Sequence, residues 1–265
     1  MNATKNKTVR NLYMFMVNQA YSWKEVLAYR QQFISYLFYA MLAPLTTLVF
    51  VSVIYGVSNG IAGWSYYQLL LLSSTGTLVS SAVSYLINVR DTFEQLLRGG
   101  IDVFLTKPYP VILVIFSRGT KFTLASILGS VAVIGYAMSN ITATPLSVIE
   151  YVLMVAIGSI TMAMFILAMV LTWYKRFMNG NWLKSFSDLI FNFGGMPLGI
   201  YGLVGTILFT VMIPVGIAVY YPAELLIGRL GSSEFALFVM LALVFLYALN
   251  KYIGRQLNSY NGAAG

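Results

Sequence analysis

Arg90, Asp91, Glu94, Arg98, Asp102 and Lys107 crowd six charges into 21 positions, 90–110, of a chain with only 16 basic and 8 acidic residues. Both signs are interleaved with apolar Phe93, Leu96 and Leu97, a pattern suited to meeting a protein partner in water: the charges pair across the contact and the apolar side seats in a groove. Basic residues alone would serve membrane orientation, whereas Glu94 and Asp102 do nothing for it. Covalent and metal chemistry lack material. The chain has no Cys and no His, which removes disulfides, thiolate nucleophiles, imidazole bases and the usual zinc or haem ligands.

Short helical pieces must present these charges. Asp91 or Thr92 is placed to cap a helix whose apolar side is Phe93, Leu96 and Leu97, with Gly99 and Gly100 as its stop. A second turn over 101–105 ends ahead of Lys107-Pro108, because the residue before a proline disfavours helix.

The rest of the chain is membrane sequence. Of its 265 residues 59% are hydrophobic and 9% charged, more apolar surface than a soluble core of this size can bury. No Asp, Glu, Lys or Arg occurs over 31–89, room for two crossings of about 20 residues each, with a Gly/Ser/Asn-rich break at 56–66. Further charge-free blocks at 122–149, 151–173, 189–223 and 235–250 bring the expectation to six transmembrane helices, near 33–55, 67–88, 122–140, 148–173, 185–217 and 235–253. The expected class is an all-α integral membrane protein.

With both termini cytoplasmic, 15 of the 16 basic residues fall inside and only Arg229 outside, the positive-inside signal of an even number of spans. The net charge of +8 therefore reports orientation, and nucleic acid is not an expected partner. Residues 1–31 are expected to be a cytoplasmic tail and an interfacial helix, with Val9, Leu12, Met16, Ala20, Trp23 and Leu27 along one side, lying on the inner leaflet. Residues 32–256 form the single transmembrane domain and 257–265 a cytoplasmic tail. Trp23, Trp173 and Trp182 are read as inner-interface anchors and Trp64 as an outer one. Lys184 and Asp188, four apart, read as a simple salt bridge, and Glu150 as a headgroup-level carboxylate.

The fifth block is abnormal. Gly194, Gly195, Pro197, Gly199, Gly202, Gly205 and Pro214 rule out one straight helix, and a span followed by a broken or re-entrant piece at the outer surface, ending near Tyr220, Tyr221 and Pro222, is expected. The spacing Gly195-x-x-x-Gly199 permits close helix contact.

Gly100-Ile101-Asp102-Val103-Phe104-Leu105-Thr106-Lys107-Pro108, preceded by Arg98 and Gly99, resembles the glycine, acid, leucine and basic-proline pattern that follows the second span of six-helix ABC-2 type permeases. Arg118 fits their downstream basic residue. Tyr221-Pro222-Ala223-Glu224-Leu225 with Gly228 is similar to their element after the fifth span, and the tail at 257–265 to their Tyr- and Gly-containing ending. The resemblance covers essentially the whole chain, in order. It implies the transmembrane subunit of an exporter for amphipathic or hydrophobic molecules such as lipids, glycolipids, peptides or drugs. Its expected partners are two copies of a cytosolic ATPase and a second permease, identical or related, in the cell membrane. Under it the ATPase-coupling residues are Arg90, Asp91, Glu94, Leu97, Arg98, Gly99, Gly100, Asp102, Lys107 and Pro108, and the outer re-entrant residues Pro214, Tyr221, Pro222, Glu224 and Gly228.

The chain agrees by omission. Gly119-Thr120-Lys121 lacks the spacing of a phosphate-binding loop, so ATP and its Mg²⁺ belong on the partner, no cofactor is expected on this chain, and the chain is not itself an enzyme. An ion-coupled secondary transporter would carry intramembrane acids or paired repeats, and the long charge-free blocks argue against one. A non-transporting membrane scaffold subunit is the remaining alternative.

Overall fold

The computed structural model of the chain describes residues 2–58, 61–105, 109–176 and 180–260. Apolar, charge-free sequence closes its backbone hydrogen bonds locally, because hydrocarbon offers no partner for them, and the outcome is helical. In chain order the helices are α1 Asn2–Ala28, α2 Arg30–Ser58, α3 Tyr66–Leu86, α4 Val89–Leu97, α5 Asp102–Leu105, α6 Val111–Ser117, α7 Thr123–Met138, α8 Pro145–Trp173 and α9 Asn181–Gly194. A 3-10 turn at Leu198–Tyr201, α10 Gly202–Ile207, π-helical turns at Leu208–Met212 and Gly216–Tyr220, α11 Tyr221–Leu226 and α12 Ser232–Asn258 complete the described residues, which contain no strand.

Helix starts follow local chemistry. Ser65 and Gln68 form a reciprocal cap on α3, and Thr144 with Ser147 does the same for α8, whose first residue is Pro145. Four helices, over Phe33–Ser58, Tyr66–Leu97, Pro145–Trp173 and Ser232–Asn258, are long and apolar enough to cross a bilayer. A fifth crossing results when the bent pair Asn181–Gly194 and Leu198–Met212 counts as one. The remaining expected span is the 16-residue α7. At 1.5 Å per residue it reaches only about 24 Å, short of the roughly 30 Å hydrocarbon core.

Helix α3 is the hub, packed by α2, α7, α8 and α9, with α12 laid on α8. Leu70, Leu71 and Leu72 of α3 and Leu167 and Val170 of α8 are fully buried between them. By contrast α2 and α12 turn most of their surface outward, including Phe38, Tyr39, Val49, Met240 and Tyr247. Polarity is inverted on α1 as well. Val9, Leu12, Met16, Ala20 and Leu27 face outward, while Ser22 donates to the Ser117 carbonyl at 3.0 Å and the Trp23 indole to the Tyr85 hydroxyl at 3.4 Å.

The fifth block breaks twice. Helix α9 stops at Gly194, and the chain bends by 106° before Leu198–Met212. The second break is at Ile213-Pro214, after which Gly216–Tyr220 and α11 run on against α8. A Cβ added at Gly194 would overlap the Val215 side chain, so the two sides of the 195–215 excursion come back together. Close backbone approach does the rest: a Cβ on Gly76 would stand 3.1 Å from Gly195 Cα, and one on Gly158 only 2.5 Å from Ala218 Cα. The expected pairing through Gly195-x-x-x-Gly199 takes a different form, since Gly195 meets Gly76 and nothing lies within 4 Å of a Cβ at Gly199. The excursion itself exposes Leu203, Val204, Val211 and Met212. Trp64, expected at a lipid interface, is instead buried, with its ring 5.8 Å from Tyr220.

Gly158 and Gly135 give opposite signs. Alanine is the better helix former by about 1 kcal/mol, and at Gly135, where nothing lies within 4 Å, Gly135→Ala should hold or raise the unfolding temperature in detergent. Gly158→Ala must push against the Ala218 backbone and should lower stability by about 1–3 kcal/mol, read as a drop of several degrees in the same thermal scan.

Candidate functional site

The stretch at 88–105 forms a layer at one end of the bundle, where α4 continues α3 over Tyr66–Leu97, and the same end carries Arg118, Lys121, Lys175 and Arg176. Asn88 caps α4 by accepting from the Asp91 amide at 3.2 Å. The cap therefore lies three residues ahead of Asp91, and Thr92 is buried within the helix. Sequence favoured Asp91 or Thr92 because both are good capping types, but Asn88 is another and sits where α3 has just ended. No cluster of acids able to hold a metal ion occurs among the described residues.

Phe93 is the anchor of the layer. Fully buried with Val89, Thr92 and Leu96, its Cβ would stand 3.0 Å from a Cβ on Gly180, in the connection from α8 to α9. Leu97 does not join this side: it is 42% exposed, as is Leu105 to nearly the same degree. Helix α4 ends in a Schellman arrangement, with Gly99 at φ 70° and the Gly100 amide donating to the Gln95 carbonyl at 2.8 Å. A residue with a Cβ is strained at such a φ, which is why glycine stands there.

The outward face of α4 carries Arg90, Glu94 and Arg98. Glu94 is bracketed by both guanidiniums, at 3.1 Å to Arg90 and 3.7 Å to Arg98. Exposed i,i+4 pairs contribute only about 0.3–0.5 kcal/mol each, so these charges stay available to a partner at little cost. Asp91 accepts from the Gln95 amide at 2.6 Å, and Gln95 in turn accepts from Arg118 at 2.9 Å, tying α4 to the residue that follows α6. Asp102 begins α5; Lys107 and Pro108 lie outside the described residues.

Sequence reading missed how the C-terminal tail enters this layer. The Tyr260 hydroxyl donates to the Leu96 carbonyl at 3.1 Å, and its ring lies 5.9 Å from that of Tyr174. Burial, then the neighbouring Asp102 carboxylate, push the Tyr260 phenol up to about 12. The signal available was one tyrosine in an otherwise small and polar ending.

At the other end of the bundle, about 30 Å away along the 21 residues of α3, Arg229 gathers the connections. Its guanidinium lies 4.5 Å from the Trp64 ring centroid and donates to the Gly63 carbonyl at 2.7 Å. The Tyr220 hydroxyl donates to Glu224 at 2.6 Å, Tyr221 stacks on Phe238 at 3.7 Å, and Pro222 is buried in the first turn of α11. Pro214 lies buried between the two π-helical turns, and Gly228 follows α11 at φ 74°. The two groups of sequence-selected residues thus occupy opposite ends and do not form one site.

Between the ends, α2, α3 and α9 enclose a groove of about 270 Å³ lined by Thr46, Thr47, Ser73, Thr77, Ser80 and Asn192 among others. Thr47 and Thr77 share a hydrogen bond at 2.8 Å, and Ser73 donates to the Gly195 carbonyl at 3.0 Å. This polar lining also escaped sequence reading. Its trace is the run Ser73-Ser74-Thr75-Gly76-Thr77 with Ser80 and Ser81, hydroxyls three and four apart in a charge-free helix. Lys184 and Asp188 form an ion pair within α9, on the side of Asp188 that borders the groove.

No curated protein and no solved structure matches the chain. The family model described as ABC-2 family transporter protein matches residues 41–264, which takes in α3 to α12, both end layers and the groove. The chain is a multi-pass membrane protein, a transport subunit of the kind that normally works with a partner ATPase, and it belongs to the ABC-2 transporter family.

Proposed function

We propose that the chain is the permease subunit of an ATP-driven exporter that moves an amphipathic or hydrophobic molecule, such as a lipid, glycolipid, peptide or drug, out of the cytoplasm or inner leaflet. It would cross the cell membrane six times with both termini cytoplasmic, α7 and the broken fifth block included, and α1 would lie along the inner leaflet. The basic end of the bundle then faces the cytosol, where two copies of an ATPase carrying ATP and Mg²⁺ dock on α4 and α5. A second permease, identical or related, covers the outward faces of α2 and the 195–215 excursion. The observation that carries this reading is Phe93: an exposed, charged helix is wedged by one buried ring into the connection between two bundle helices, α8 and α9.

The geometry supplies a route for force. Motion of α4 bears on Gly180 through Phe93, Gly180 leads directly into α9, and α9 ends at the groove. The groove's mixed lining of hydroxyls, an amide, the Asp188 carboxylate and apolar side chains suits a cargo with both polar and apolar parts. Glu224, Tyr220 and Arg229 close the opposite end as an outer element. Along α3, the hub of the bundle, the buried polar groups are hydroxyls and not titrating acids, which gives a secondary transporter no support there; buried Glu150 lies at the start of α8 and Asp188 is in an ion pair with Lys184.

Co-purification of an ATPase whose activity in lipid depends on this chain, together with ATP-dependent cargo movement in vesicles, tests the assignment; cargo movement without nucleotide overturns it. Arg98→Glu should weaken ATPase binding several-fold and alter its salt dependence, measured by titration at two ionic strengths, because exposed charge pairs are screened over about 8–10 Å. Binding indifferent to that reversal removes Arg98 from the contact. Phe93→Leu should leave insertion and ATPase binding intact while lowering the cargo moved per ATP hydrolysed, and an unchanged ratio removes the wedge from the route.

A further inference from the structure

Lys121 is a buried cation with no acidic partner. Only 2% of its surface is exposed, its Nζ makes no hydrogen bond, and its near neighbour is the face of Tyr85, 4.5 Å from the ring centroid. The segment that carries it is strapped down. The Thr120 amide donates to the Ser84 carbonyl at 2.8 Å, and a Cβ at Gly119 would overlap the Tyr85 backbone, so the backbone at Lys121 is fixed beside the cavity and contact with a ligand there takes a rotation of the side chain alone. Burial pushes its amine down to about 8, as befits an ammonium short of a counter-charge.

Lys121 is among the residues that line a cavity of about 520 Å³ between α1, α4, α6 and the start of α7, with its Nζ tucked behind the wall and not open to it. Ser22, Asn88, Ser117 and Thr120 line it as neutral polar groups. Glu25 on α1 and Arg118 are exposed at its margin, and Asp91, which also borders it, already accepts from Gln95. Lys121 is therefore the sole charged side chain among the lining residues that is buried. The site borders the apolar part of the chain: α7, charge-free and largely apolar, begins two residues later at Thr123, and the apolar stripe of α1 runs along the outside of the same cavity.

We propose that this cavity is a binding site for the phosphate group of an amphipathic ligand, held by Lys121 at the depth of the lipid headgroups. A phosphate supplies what the amine lacks, negative charge and several acceptor oxygens for three N–H donors; the Ser22 and Ser117 hydroxyls already donate to backbone carbonyls, which leaves the Asn88 side-chain amide and the Thr120 hydroxyl to serve its remaining oxygens. The site goes beyond the export reading, since a lipid bound here can be cargo or a fixed structural partner, and its test needs neither ATPase nor transport.

The full chain in maltoside micelles, which bring no phosphate, is given phosphatidic acid or diacylglycerol of the same acyl chains. Phosphatidic acid should raise the unfolding temperature by several degrees and be retained in native mass spectra, while diacylglycerol should do neither. Lys121→Met should lower that retention about tenfold, the loss of one charge-assisted contact. Lys121→Arg should restore it, and Lys251→Met, at an exposed position on α12, should not change it. Without added lipid, Lys121→Met should be at least as stable as the parent, because an unpartnered buried charge has gone; a generally destabilised variant would instead mark a packing role and overturn the proposal. Inorganic phosphate and glycerol phosphate separate the sources: protection by these in the parent and not in Lys121→Met locates the phosphate in water, and protection by phosphatidic acid alone locates it in the membrane. Equal retention of phosphatidic acid by parent and Lys121→Met, or equal protection by diacylglycerol, sinks the site.

Discussion

A helix interrupted inside hydrocarbon leaves backbone amides and carbonyls with no water to turn to, at several kcal/mol for each group left unpaired. The fifth block of this chain is interrupted twice, at 195–197 and at 213–214, and the rest of the bundle is arranged to cover those breaks. Ser73 on α3 donates to the Gly195 carbonyl; the Ile213 amide reaches the Leu208 carbonyl at 2.8 Å and the Val215 amide the Ile213 carbonyl at 2.7 Å. Such coverage needs backbones in contact, and side chains stand in the way. At Gly158 and Gly194 a Cβ would overlap the fifth block, and at Gly76 it would press on the Gly195 backbone, so glycines let α3 and α8 approach the breaks closely. A chain that had kept a straight fifth helix would need neither the glycines nor the hydroxyls of α3.

Burial is unequal as a consequence. Helices α3 and α8 are enclosed on most sides by covering the breaks, while α2, α12 and the 195–215 excursion stay largely outward. For a soluble protein that much exposed Phe, Leu and Val would be an aggregation surface. In a bilayer it costs nothing, because lipid is as apolar as the side chains. The two ends are pinned by different chemistry. One is closed by Arg229 over Trp64 with Tyr220 and Glu224; the other by Phe93, the Tyr260 hydroxyl and the Tyr85 side chain that meets both Trp23 and Lys121.

Much of this architecture could be read from residues in a row. Charge-free runs locate the long helices, and Gly194, Gly195, Pro197 and Pro214 announce that the fifth block cannot be straight, because those rules act within a few neighbouring positions. What could not be read depends on which face meets what. Leu97 was assigned to the apolar side with Phe93 and Leu96, yet only two of the three fit beneath α4, and the helix register turns the third outward. Trp64 has the composition of a lipid anchor but lies under Tyr220, a partner more than 150 positions away. The hydroxyl lining of α3, the Tyr260 contact and the unpartnered Lys121 are likewise properties of pairs distant in sequence. Helix α7 ends at Met138, two residues short of the expected span, because Ser139 and Asn140 turn the chain there.

The double break also bears on how motion can pass through the bundle. Helix α9 spans 14 residues, about 21 Å, from the Phe93 contact at its start to the Gly195 contact at its end. A continuous crossing helix could tilt only by dragging its whole length through lipid and through its neighbours. Helix α9 is released from that requirement, since beyond Gly194 the chain bends and its hydrogen bonds are no longer helical in register. Its far end is held to α3 by glycine backbone contact and by the Ser73 hydrogen bond, the latter worth about 1 kcal/mol net. Its near end is held by a fully buried phenyl ring, worth several times that. Under the proposed coupling, a push on α4 would be gripped firmly where it enters α9 and released weakly where α9 borders the groove, the ordering a lever needs to change the groove before the layer at its other end comes apart.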